Sequence, residues 1–223
     1  KTAAVTPSKY YEVFKKYSDD GYSIVHIGLS SAISSSYQNA VIASNDFNNV
    51  YTVDSKNLCT AMGLLVLKAA DLRDKGLDAK KIADKITKLV PKVEATFVLN
   101  TLQYLHKGGR CSSVAKFGAN ILGIKPSIAV SDNGKLDIAK KYRGKIEIVY
   151  KQYISDCLEK TNSIDKERIV IANSGNVSKD TIAFAEGLIK GKAEFGEIIK
   201  SKAGCTISSH CGPGTLAIFY IKK

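Results

Sequence analysis

The chain holds 223 residues, 44% hydrophobic and 24% charged, the make-up of a water-soluble globular protein with room for one large domain or two small ones. Thirty-three basic against 21 acidic residues give a net charge of +12. No run is long and apolar enough to span a bilayer and none reads as a signal peptide, so a cytoplasmic protein is expected. The five cysteines (Cys59, Cys111, Cys157, Cys205 and Cys211) are scattered without CxxC spacing, which points to reduced thiols.

In chain order, Thr6-Pro7-Ser8 opens an amphipathic helix that runs through Tyr17 and ends at Gly21, with Thr6 as N-cap and Pro7 in its first turn. The apolar stretch Tyr22 to Leu29 reads as a buried strand. Directly after it comes Ser30-Ser31-Ala32-Ile33-Ser34-Ser35-Ser36-Tyr37-Gln38-Asn39-Ala40, five hydroxyls crowded into a strand-to-helix turn. A helix is expected to begin near Ser34 or Ser35 and run to about Asn45. Its free backbone N–H groups and positive dipole end suit an anion, a phosphate or a carboxylate, held by neutral donors only, because no Lys or Arg lies between Lys16 and Lys56. The rival reading is a helix with more capping hydroxyls than it needs.

A second strand, Asn49 to Asp54, completes a βαβ unit. Leu58 to Lys75, closed by Gly76, and Ala79 to Leu89, stopped at Pro91, read as helices. Glu94 to Leu99 alternates like a strand, Thr101 to Lys107 is a short helix before Gly108-Gly109, and Ser112 to Leu122 is a further helix. Ser127 to Val130 and Leu136 to Ala139 flank Asp132-Asn133-Gly134, a strong hairpin signal. A helix over Lys145 to Lys160, a strand over Arg168 to Asn173 and a helix over Lys179 to Lys190 follow. Glu197 to Lys202 and Gly212-Pro213-Gly214 then lead to an apolar strand, Thr215 to Ile221. Alternating strands and helices make this an α/β protein. The change of rhythm places a domain boundary near Val90 to Val93, and the hairpin implies a mixed sheet in the second part.

The charge is uneven, +3 over residues 1–90 and +9 over residues 91–223. Lys107 to Lys151 carries ten basic residues against Asp132, Asp137 and Glu147, a face for an acidic partner or simply a solvated lysine surface. Lys outnumbers Arg there and interleaved aromatics are missing, so nucleic acid is not an expected partner. Cys205, His210 and Cys211 offer three soft ligands without a fourth, at a spacing that matches no common zinc site, so no metal is expected. Ser34, His210 and Asp54 are the residue types of an acyl hydrolase, but no GxSxG elbow presents the serine. His26 and His106 read as structural.

Four motifs stand in order: Lys1-Thr2, the serine turn, Lys107-Gly108-Gly109-Arg110 with Ile124-Lys125-Pro126 after it, and His210-Cys211-Gly212-Pro213-Gly214. Together they resemble the DegV family of bacterial fatty-acid-binding proteins over the whole chain. The resemblance implies two α/β domains, a three-layer parallel-sheet domain over residues 1–91 and a two-layer domain with a mixed sheet over residues 92–223. It also implies a long-chain fatty acid between them, no cofactor and no catalytic residue. By the same resemblance the fatty acid is expected to be presented to a separate fatty acid kinase, which would make an acyl phosphate for phospholipid synthesis, with transient membrane contact allowed. Thr2 matches the family's carboxylate threonine, and its serine falls at Ser31 or Ser34. Ser30, Arg110 and His210 are further candidates for head-group or partner contacts. Departures are Ser34-Ser35-Ser36 where Ser-Gly-Thr is usual, Cys111 where Ile is common, and Ala3-Ala4-Val5 after Thr2. The family's opening strand–helix units are missing ahead of Lys1, so the chain reads as a fragment whose first domain lacks part of its sheet. A binder of a phosphorylated small molecule at the serine turn is the remaining alternative.

Overall fold

The computed structural model describes residues 1–111, 123–159 and 161–223. The helix expected over Ser112 to Leu122, and the last residue of that expected over Lys145 to Lys160, lie outside the described residues.

The chain begins with an extended segment and helix α1 (Pro7–Asp19), where the Thr6 hydroxyl accepts the Lys9 N–H as expected of an N-cap. Strands β1 (Ile24–Gly28) and β2 (Val50–Asp54) pair in parallel, with Gly28 opposite Asp54, and are joined by α2 (Ser36–Ser44). Phe14 of α1 packs on Ala40 and Ala43 of α2 and on Val50, so the βαβ unit has a small core of its own. Helices α3 (Cys59–Asp74) and α4 (Ala79–Leu89) follow, the second capped by the Asp78 carboxylate.

The other described strands are β3 (Val93–Val98), β4 (Ile124–Val130), β5 (Leu136–Arg143), β6 (Ile164–Asn173), β7 (Glu197–Lys202) and β8 (Leu216–Lys222). They form one six-stranded sheet in the order β5-β4-β3-β8-β6-β7. Only β6 and β7 pair in parallel, so the sheet is mixed as expected. Between the strands lie α5 (Gln103–Gly108), α6 (Ile146–Cys157), α7 (Lys179–Lys192) and α8 (Cys205–Cys211). The short α8 was not expected from the sequence.

Strand alternation sorts the side chains to two faces. Ile169, Ile171, Leu216 and Ile218 meet Val149, Tyr153 and Ile154 of α6 and Ala185 and Ile189 of α7. Phe97, Val170, Ala172, Ala217 and Phe219 face the other way, into a core shared with α3 and α4. On that side α3 is tied to the large sheet by polar bonds. Arg168 grips Asp71 with two nitrogens, at 2.5 and 2.9 Å, Lys68 pairs with Glu167, and the Thr60 and Ser201 hydroxyls lie 2.8 Å apart. The Arg168 guanidinium thereby holds the Asp71 carboxyl below its ordinary value.

Candidate functional site

The space between the βαβ unit and the inner face of the large sheet holds a cavity of about 390 Å³. Thr2, Ser34, Ser35, Ser36, Arg110 and His210 form one polar cluster in its lining, Asn173, Ser174, Thr206 and Thr215 add further polar side chains, and Leu29, Phe97, Leu105, Leu136, Ala217 and Phe219 make its apolar wall. Cys59 and Cys211 also line it. Cys59 starts α3 with a φ of 52°, an unusual conformation for a residue with a side chain.

The serine turn divides its hydroxyls between two tasks. Ser34 faces the cavity; its Oγ donates to Ser36 Oγ at 3.0 Å and accepts the Ser36 N–H at 3.2 Å. Ser36 Oγ in turn accepts the Val5 N–H at 3.3 Å, and Asn39 donates to the Val5 carbonyl, which holds the extended segment 2–5 along the cavity rim. The helix starts one residue later than expected, at Ser36, and Ser35 in the cap position makes no side-chain cap bond.

Ser30 and Ser31 do not line the cavity. Ser31 is exposed and held by Asp54, which accepts its N–H at 3.2 Å and its Oγ at 2.6 Å and also takes the Lys56 N–H. Ser30 is wholly buried, and its Oγ donates to the Gly134 carbonyl at 2.8 Å. Buried Ser55, at the Val53-Asp54-Ser55 strand end, and Asn57, for which no expectation stood, bond to one another and present the Asn57 carbonyl to the Ser30 N–H. The only sequence sign of that scaffold was its position after a strand end.

Glycines build the opposite side. Gly109 ends α5 in the left-handed region, at φ 65°, a conformation that favours glycine. Gly108 lies so close to the His210 ring that any Cβ there would collide with Nδ1. Arg110 then reaches back across the cavity mouth and donates to the carbonyls of Ile33 and Gly108, at 3.3 and 2.9 Å. It makes no ion pair with a described residue. The expectation that the serine turn offers neutral donors only is thus corrected: a guanidinium from 77 residues away joins it.

His210 Nε2 and Thr2 Oγ1 lie 2.8 Å apart. Nδ1 is buried and has no hydrogen-bond partner among the described residues. Burial, and after it the positive charge of Arg110, lowers the His210 pKa from its ordinary 6.5, so the ring is neutral near pH 7. The hydrolase constellation is not assembled: Ser34 bonds to Ser36, His210 to Thr2 and Asp54 to Ser31. No group of three or more metal-binding side chains forms among the described residues, and no described helix is long and apolar enough to cross a membrane.

Comparison with known proteins places the chain in a family. The family model described as "Uncharacterised protein, DegV family" matches residues 1–223. A DegV domain-containing protein of Clostridium acetobutylicum is 33% identical over 224 residues, covering 100% of this chain and 78% of that protein. A fatty acid binding DegV family protein from Streptococcus agalactiae superposes with a TM-score of 0.85 at 26% identity, over 100% of this chain and 78% of that one. The Streptococcus pneumoniae Fatty Acid Kinase (Fak) B3 protein, solved loaded with linoleic acid, gives a TM-score of 0.84 at 25% identity, over 99% and 78% of the two chains. With the family model matched from end to end and the α/β architecture shared, the chain belongs to the DegV family.

Proposed function

We propose that this protein binds a long-chain fatty acid in the cavity, its carboxylate at the Thr2 and Ser34 hydroxyls and its tail along the apolar wall. The observation that carries the reading is that one cavity is lined both by a cluster of hydroxyls, a neutral imidazole and one guanidinium and by the apolar side chains Phe97, Leu105, Leu136 and Phe219. Burying each CH₂ of a tail contributes about 0.8 kcal/mol, so the wall supplies most of the affinity while the polar cluster orients the ligand. Of the two candidate serines, Ser34 is preferred because it faces the cavity and its hydroxyl need only turn its proton from the neutral Ser36 Oγ to a bound carboxylate, whereas Ser31 donates to the charged Asp54 away from the cavity.

A buried orphan N–H is rarer than an orphan acceptor, which assigns the His210 ring proton to Nε2. Nε2 then donates to Thr2 Oγ1 and leaves the threonine proton free for a carboxylate oxygen. Arg110 sits at the rim, already bonded to two carbonyls, so it contributes charge without closing over the ligand. An acid so held keeps an oxygen open to a second protein, and we assign that role to a fatty acid kinase, in keeping with the Fak B3 relative. On this reading residues 1–91 and 92–223 are two domains meeting at the cavity, in a cytoplasmic protein that carries a ligand and catalyses nothing itself.

The test is solvent extraction and mass spectrometry of purified protein. A Thr2→Val/Ser34→Ala double variant should retain less fatty acid than the wild type, and Ser31→Ala should retain as much. Equal retention in all three removes the carboxylate assignment.

A further inference from the structure

Ser30 and Gly134 are 104 residues apart and form one buried contact. Ser30 Oγ donates to the Gly134 carbonyl and accepts the Ala32 N–H at 3.2 Å, while the Ser30 carbonyl accepts the N–H groups of Ile33 and Ser34, each at 3.2 Å. The position of Ser30 therefore sets the backbone that carries the Ser34 hydroxyl. Gly134 lies at the tip of the β4–β5 hairpin, buried, with φ +78°. A Cβ there would run into Ser30 Oγ and press on the Lys56 Cα at 3.3 Å. The hairpin does not need this contact to close. Gly134 N–H already bonds the Ser131 carbonyl at 2.7 Å, and the Ser131 N–H bonds the Lys135 carbonyl at 2.9 Å. Asn would also satisfy a left-handed turn position. The requirement for glycine comes from the serine turn packed against it. Two residues further on, Leu136 forms part of the cavity's apolar wall.

We infer that the hairpin tip is a positioning element for the ligand: Gly134, acting through Ser30, fixes the Ser34 hydroxyl relative to the β5 wall and so sets head group against tail. Neither residue touches the ligand. This rests on the fatty-acid reading and changes the role of Ser30 from a head-group contact to a support.

The test compares two probes of equal tail, hexadecanoic acid and its methyl ester, by displacement of a fluorescent fatty acid from wild-type, Ser30→Ala and Gly134→Ala protein. Loss of one well-placed hydrogen bond should weaken acid binding about tenfold in both variants and leave the ester within about twofold. Ser30→Ala carries the test if Gly134→Ala fails to fold, since it removes an oxygen without straining the backbone. Equal losses for acid and ester would mean general damage to the cavity, and that result, like undiminished acid binding, overturns the inference. A wild type that binds neither probe overturns the fatty-acid reading first and the positioning role with it.

Discussion

The two sides of the cavity are built on different principles. On the sheet side, Phe97, Ala217 and Phe219 stand on adjacent strands β3 and β8, whose register pairs Phe97 with Ala217, and repeated backbone bonds hold that face. On the other side, the serine turn is not regular structure. It is held by a few bonds, two from Ser31 to Asp54 and one each from Ser30 to the Asn57 and Gly134 carbonyls. A pleated wall averages its support over many bonds and provides apolar area; a turn concentrates its support in a few and provides direction. An apolar tail needs the first kind of surface, a carboxylate the second.

The largest effect that would sharpen this contrast is on the sheet side. Phe219 is 2% exposed, and Phe219→Ala should lower stability by about 3–5 kcal/mol in urea unfolding. A loss below that of a single buried hydrogen bond would mean that the wall collapses to fill the space, and the contrast fails. Next comes Gly108→Ala, which forces His210 away from its contact. About 1–3 kcal/mol is expected at such a close approach, together with weaker fatty-acid binding. Unchanged binding would detach His210 from the site.

The smallest effect is in pH. Burial lowers the pKa of His26, which lies edge-on to Tyr10 and Phe14, and also that of His210. The unfolded chain then takes up more protons than the folded one. Stability contributed by neutral imidazoles is fully present above the ordinary value of 6.5 and is lost as pH falls from there toward the lowered pKa values. The urea midpoint should fall across that window and fall less in His26→Phe. A flat profile would place both rings in a wetter setting than their burial implies.

Much of the fold was legible because its cues are local. Thr6 and Asp78 cap helices by side-chain bonds. Asp132-Asn133-Gly134 turns a hairpin, and period-two alternation sorts Ile169 and Ile171 from Val170 and Ala172. Helix α8 escaped because Cys-Thr-Ile-Ser-Ser-His-Cys has a single large apolar residue and weak helix formers throughout. The division of labour among the serines escaped for a different reason. Nothing near Ser30 in sequence distinguishes it from Ser34; its partner is the hairpin tip, and Arg110 likewise reaches the turn only through the fold.

The bond between Thr2 and His210 spans 208 residues and that between Ser30 and Gly134 spans 104. Contacts of such separation form late and slowly, because loop closure must be met before they stabilise anything. On the ribosome, the serine turn and its βαβ unit emerge long before the histidine that completes the polar cluster. A nascent chain can therefore fold its first strands and helices but has no finished head-group site until residue 210 is free to dock. On the proposed reading, a chain halted before residue 210 would lack the Thr2–His210 contact and should hold little fatty acid.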